Sequence, residues 1–267
     1  MTAIVHLARR RMLLAALSLP LLCGAAVAAD LPTSVARMRA SIVAVGTVQP
    51  GRNPQFRVLG TGFAVGDGTL VATNFHVVPE LLDTNRLETL AIAIPVAGAT
   101  VAAVREVSKV SSDPAHDLVL LKLAGGAPLP ALKIGDSAAV HEGDAIAFTG
   151  FPMGDVLGLF PVTHRGIVSA VAPIGIPVTR ARDLDARTVR QLSAGPFDIF
   201  QLDATAYPGH SGSPMFEPET GEVVGILNMV FIKGTRESAL SQPSGISYAV
   251  PAKYLQDLIK AARTSSP

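Results

Sequence analysis

From Ser41 onward the chain is a succession of short apolar, β-branched runs cut by turn signals, and no long segment with helical spacing interrupts them. The first series is Ser41–Val48, Phe56–Val65, Thr69–Thr73, Leu90–Pro95, Thr100–Val107 and Leu118–Leu123. Pro50-Gly51 and Gly66-Asp67-Gly68 are among the turns that separate its members. The second series is Ala145–Gly150, Phe160–Val171, Phe200–Ala204, Pro214–Phe216, Glu222–Phe231 and Ile246–Val250. Such a pattern predicts an all-β fold of barrel or sandwich type. Two series of six predict two antiparallel six-stranded β-barrels, over about residues 40–137 and 138–251, joined near Gly135–Glu142.

Helical periodicity is confined to the flanks. Pro32–Ala40 fits a short helix, and Leu255, Leu258, Ile259 and Ala262 fall at helical spacing in Ala252–Arg263. A short amphipathic C-terminal helix is expected there, with no further domain after it. The stretch Thr179–Ala194, rich in Arg and Asp, reads as a solvated loop, with regulation or substrate gating as the alternative.

Composition changes the picture at the N-terminus. The chain is 49% hydrophobic and 16% charged, a globular balance, but part of the apolar excess lies in Met1–Ala29. Arg9-Arg10-Arg11, the apolar run Met12–Leu22 and the small residues Ala26-Val27-Ala28-Ala29 describe a secretory signal peptide. The run is short for a membrane span, so no stable membrane insertion is expected once it is removed; an uncleaved anchor is the competing reading. The Arg pair before Met12-Leu13 also resembles a twin-arginine signal. A periplasmic or secreted protein of residues 30–267 follows. Cys23, the sole cysteine, lies in the leader behind Leu22, which disfavours lipidation, so the mature chain has no intramolecular disulfide. Removing the leader takes three of 22 basic residues and no acidic ones, leaving 19 against 21 and a net charge of −2. No nucleic-acid partner is indicated.

The candidate chemistry centres on Tyr207-Pro208-Gly209-His210-Ser211-Gly212-Ser213-Pro214. A serine between glycines suits a tight turn that exposes its hydroxyl and aims backbone N–H groups at one point. His76 follows the strand ending at Thr73 among apolar neighbours, the setting a general base needs, although a lone histidine is more often structural. Asp117 opens the apolar run Leu118–Leu123, where a carboxylate is costly to bury without a partner such as an imidazole N–H. Asp113, Asp136, Asp144 and Asp155 read as turn caps, and Asp203 as structural. His141 and His164 read as surface residues, and His116 has no evident role. His210 adjoins Ser211 but is expected to point away from its hydroxyl.

With these residues in place, the sequence resembles the trypsin-like serine proteases of chymotrypsin fold. It is most similar to the bacterial exported branch of Deg (high-temperature-requirement) proteases, without their C-terminal PDZ domains. Matching segments run in family order: Gly60–Phe63, Thr73–Val78, His116–Lys122, Ile134–Ser137, Gly150–Gly154, Gly209–Pro214, Gly221–Gly225 and Ile246–Pro251. The Gly-x-Ser-Gly-Ser-Pro form is also similar to glutamyl endopeptidases. The resemblance implies a catalytic triad of His76, Asp117 and Ser211 with an oxyanion hole from the N–H groups of Gly209 and Ser211. It further implies polypeptide substrates bound along Leu227, Asn228 and Met229, and a primary pocket lined by Thr205, Ala206 and that strand. No acid there favours Arg or Lys, and no His or Arg suits Glu, so small or medium apolar side chains are expected. Neither cofactor nor metal is implied. His210 stands where digestive relatives carry Asp, so zymogen cleavage of their kind is not expected. Two other readings are weighed: a catalytically silent module of this fold binding peptides or an envelope partner, and a non-protease hydrolase, for which the helices of an α/β-hydrolase are missing.

Overall fold

The computed structural model describes residues 30–95, 102–152, 158–173, 197–228 and 245–264. The leader, the Thr179–Ala194 loop and Met229 lie outside the described residues. Helix α1 (Leu31–Met38) is capped by the Asp30 carboxylate, which accepts the Thr33 N–H at 3.1 Å. Then come β1 (Ile42–Val48), β2 (Phe56–Val65), β3 (Leu70–Asn74), β4 (Thr89–Ile94), β5 (Ala103–Asp113) and β6 (Leu118–Leu123). The second set is β7 (Ala145–Gly150), β8 (Val162–Pro173), β9 (Asp198–Asp203), β10 (Pro214–Phe216), β11 (Val223–Leu227) and β12 (Ile246–Pro251). Helix α2 (Ala252–Thr264) closes the described chain.

Each set forms a closed antiparallel barrel, in the orders β1-β2-β3-β6-β5-β4 and β7-β8-β9-β12-β11-β10. Adding six to every strand number converts one order into the other, so the same connectivity is used twice. The unbroken apolar runs now have a physical reason. In β1, Val43 and Val45 fill the barrel interior while Ile42 and Ala44 face a separate apolar layer. β6 does the same with Val119 and Leu121 against Leu118 and Leu120. In the second barrel Ile146 and Phe148 point inward, whereas Ala147 joins that layer with Phe216, Val223 and Ile226. A strand buried on both faces cannot show polar alternation.

The two helices brace this shared layer from opposite ends of the chain. α1 buries Met38 in it and lays Arg37 on the Thr220 carbonyl of the β10–β11 turn. α2 buries Leu255, Leu258 and Ile259 there and packs on β5, β6 and β11. One expectation fell short: β5 runs six residues past Val107, to Asp113. Its later half is polar and partly exposed, and Val110 bulges out of register against β6, so the apolar-run criterion ends too early.

Because Leu255 is fully buried against strands of both barrels, Leu255→Ala should cost about 2–5 kcal/mol of unfolding free energy. Urea unfolding followed by circular dichroism measures it; a loss under about 1 kcal/mol would mean that α2 is not part of the core.

Candidate active site

His76, Asp117 and Ser211 converge at the mouth between the barrels. The chain leaves β3 through a single 3-10 turn, Phe75–Val77, which turns the His76 ring out of the sheet. Its Nδ1 lies 2.6 Å from Asp117 Oδ2, and its Nε2 lies 2.9 Å from Ser211 Oγ. The imidazole edge stays 21% exposed, whereas the Asp117 side chain is 2% exposed.

Asp117 is held by its backbone as well as its carboxylate. Its φ of 57° is left-handed, a conformation costing a non-glycine residue roughly 1–2 kcal/mol. Its carbonyl accepts the Phe75 N–H at 2.9 Å and the Asn74 amide at 3.1 Å, which fixes that conformation. The carboxylate in turn accepts the His76 N–H at 2.9 Å, His76 Nδ1, and the Asn228 amide at 2.8 Å. An acceptor-only group so surrounded leaves Nδ1 the donor role and Nε2 the lone pair facing Ser211.

Just upstream, His116 forms an ion-pair contact of 2.6 Å with Asp113 and stacks on Tyr254 of α2 at 3.8 Å between ring centroids. Phe197 meets the same ring edge-on at 4.6 Å. Burial opposes ionisation of Asp113, but the hydrogen bonds and charge of His116 outweigh it and hold the carboxyl below its ordinary value. The residue that sequence left without a role thus seats the Asp113–Asp117 turn on the second barrel.

The turn that carries Ser211 is clamped by Thr61 of β2. Its N–H donates to the Ser211 carbonyl at 2.8 Å, and its hydroxyl donates to the Gly209 carbonyl at 2.7 Å while accepting the Phe151 N–H at 3.0 Å. Gly212, at φ 85°, lies so close that a Cβ would collide with the Thr61 carbonyl oxygen. Within the turn, the His210 N–H donates to the Tyr207 carbonyl at 3.0 Å, and Gly209 takes a φ of 102°, as the second central position of a type II turn requires. Among the described residues no acceptor takes the N–H of Gly209 or Ser211.

Other expected residues fall differently. Asn228 is wholly buried with its amide on Asp117 and its N–H on the Tyr248 carbonyl, so its side chain serves the carboxylate and not a substrate pocket. Leu227 is buried too, its N–H and carbonyl engaged by Ser213 and Gly212. Thr205 is half-buried beside the buried Ala206, whose N–H donates to Ser247 Oγ at 3.0 Å. His164 belongs to β8, inside the run Phe160–Val171 expected as a strand, and is half-buried and stacked on Phe148 instead of lying on the surface. His210 is fully buried, with Nδ1 3.0 Å from the Tyr207 N–H and its ring edge-on to Phe148 and His164. Burial, then the charge of His164, push its pKa down to about 3, against a smaller upward effect of the Tyr207 backbone. Among the described residues no three His, Cys, Asp or Glu side chains group as metal ligands would, and no helix is long and apolar enough to cross a membrane.

Two outcomes follow. Asn228→Ala removes a hydrogen bond to a buried carboxylate and should lower stability by about 1.5–3 kcal/mol, read by urea unfolding at neutral pH. His210 in the unfolded chain takes up a proton near its ordinary value of 6.5, but in the folded chain only near 3. Stability is therefore present above the unfolded value and lost as pH falls from 6.5 toward 3, by up to about 1.4 kcal/mol per pH unit. His210→Asn, which does not titrate, should flatten the unfolding free energy between pH 6 and 4.5 by that slope; an unchanged slope would mean that the ring ionises freely in the fold.

Comparison with known proteins agrees with this architecture. The trypsin-like peptidase domain profile matches residues 60–226. A probable periplasmic serine endoprotease, DegP-like, of Rickettsia prowazekii is 28% identical over 209 residues, covering 78% of this chain and 34% of the relative. The Pseudomonas putida F1 protein of the same description is 30% identical over 207 residues, covering 75% and 34%. The chain therefore spans about a third of the length of these curated relatives. Among solved structures, the HtrA-type protease AlgW with a decapeptide superposes at TM-score 0.64 and 21% identity, over 88% of this chain and 68% of that one. AlgW with a tripeptide gives 0.62 and 22%, over 87% and 63%. At such identity the structures speak for the fold, and the profile match over more than half the chain decides the family: the protein belongs to the trypsin-like peptidase domain family.

Proposed function

We propose that this protein is an exported serine endopeptidase acting through His76, Asp117 and Ser211. The observation that carries the reading is a succession of contacts: buried carboxylate, imidazole at 2.6 Å, hydroxyl at 2.9 Å. Ser211 Oγ attacks a peptide carbonyl carbon while His76 Nε2 takes its proton. Asp117 holds the reactive tautomer and stabilises the imidazolium. The Gly209 and Ser211 N–H groups receive the oxyanion, each worth roughly 2.7–4 kcal/mol in the transition state. Return of the proton to the leaving amine yields an acyl-enzyme, which water resolves by the same steps in reverse. Thr205 and Ala206 are the described residues assigned to the primary pocket, which suits small or medium apolar side chains. The names of the relatives, periplasmic serine endoproteases, support export to the periplasm.

A fluorophosphonate probe should label the mature protein on Ser211, and Ser211→Ala should abolish labelling and lower kcat on casein by roughly 10⁶-fold. Wild-type turnover by the Ser211→Ala protein would sink the assignment. Tight peptide binding without any adduct would favour the silent module.

A further inference from the structure

The mechanism leaves His210 unused, although it precedes the nucleophile and is the most deeply buried imidazole among the described residues. A backbone N–H can only donate, so the 3.0 Å contact from the Tyr207 N–H requires a lone pair on His210 Nδ1. The ring is then neutral with its proton on Nε2. The Tyr207 carbonyl also lies 3.2 Å from Nδ1, but a proton placed on Nδ1 to reach it would face the Tyr207 N–H and leave that donor without its acceptor. Tyr207 and His210 therefore exchange two bonds across Pro208 and Gly209: main chain to main chain, and main chain to ring.

This closure sits between two anchors. The Gly209 carbonyl is tied to the Thr61 hydroxyl, and the His210 carbonyl accepts the Ser213 N–H at 2.9 Å. With both flanks held, the peptide between Pro208 and Gly209 is the part of the turn still able to rotate, and it carries the N–H assigned above to the oxyanion. The titratable groups facing the His210 ring are His164 on β8 and Tyr207 on its own turn; Phe148 on β7 presents only carbon. Among the described residues no carboxylate is in contact with it. His210 Nε2, His164 Nε2 and Ser213 Oγ are all buried without a hydrogen-bond partner among the described residues, so the ring is wedged by shape and by its single Nδ1 bond.

We propose that His210 is a positioning residue: its neutral ring, accepting the Tyr207 N–H, locks the Tyr207–His210 turn with the Gly209 N–H directed at the oxyanion site beside Ser211. The inference rests on the endopeptidase reading and deepens it. The requirement is an acceptor at Nδ1, not an imidazole as such. Asparagine Oδ1 stands the same number of bonds from Cα and can accept the same N–H, whereas leucine fills the space and cannot.

The test compares wild type, His210→Leu and His210→Asn on casein, with melting temperatures as a check on folding. His210→Leu should lower kcat roughly 10²–10³-fold with KM within about threefold, the signature of a lost transition-state donor. His210→Asn should recover kcat to within about tenfold of wild type. A His210→Leu protein with wild-type kcat, or a folded His210→Asn protein as slow as His210→Leu, overturns the inference and leaves the endopeptidase reading intact. If the leucine variant fails to fold, the asparagine variant and the ring itself decide. Nitrogen NMR of the Ser211→Ala protein at pH 7 should find the His210 proton on Nε2; a proton on Nδ1 overturns the inference even if casein is never cleaved. Failure of the endopeptidase reading shows separately, as a wild-type protein that neither labels with fluorophosphonate nor turns over.

Discussion

A buried carboxylate is what this fold is built to tolerate. Asp117 keeps almost no contact with solvent, and such a charge survives only when its oxygens are filled by donors. Donors to it come from both barrels: the His76 backbone and ring in the first, and the Asn228 amide at the end of β11 in the second. The carboxylate is satisfied only when the barrels are correctly docked. Site assembly and barrel docking are thus one condition.

The docking is set by the apolar layer between the barrels, and Thr61 converts it into a local geometry. Packing of Ile42, Leu118, Leu120, Phe216 and Ile226 is non-directional and fixes distance better than angle. Thr61 supplies the angle, reaching from β2 to hold the carbonyls on both sides of His210 while receiving the N–H of Phe151 at the end of β7. The close approach of its own carbonyl to Gly212 is possible because that residue has no Cβ. Ser211 is placed from the opposite barrel, the same barrel in which His76 is anchored.

Sequence patterning carried the strand series, the twofold barrel division and the closing helix, because apolar runs and turn residues are local signals. Three histidines show where it stopped. His76 was legible from its strand-end position. His116 was not, because its partners Tyr254 and Phe197 arrive from the other barrel. His164 was misread as a surface residue although it lies inside the expected strand Phe160–Val171, because only the pairing with β7 reveals that its ring stacks on Phe148. Asn228 was assigned to a substrate strand for its position; its service to Asp117 depends on a contact across 111 residues that no local pattern encodes. Local chemistry marked the residues, and long-range docking assigned their work.

That distinction also explains why a neutral ring can sit before Ser211. A carboxylate there would be a second buried charge beside a half-buried imidazole, and it would need a cation to be stable. Among the described residues no Lys or Arg is in contact with His210; its neighbours are Phe148, His164 and Tyr207. In that apolar setting the cheapest group able to accept a backbone N–H is one that carries no charge, and burial itself keeps the imidazole in that form. The same desolvation that would expel an aspartate therefore keeps the imidazole neutral, so the position tolerates a titratable residue without becoming a titrating one near neutral pH.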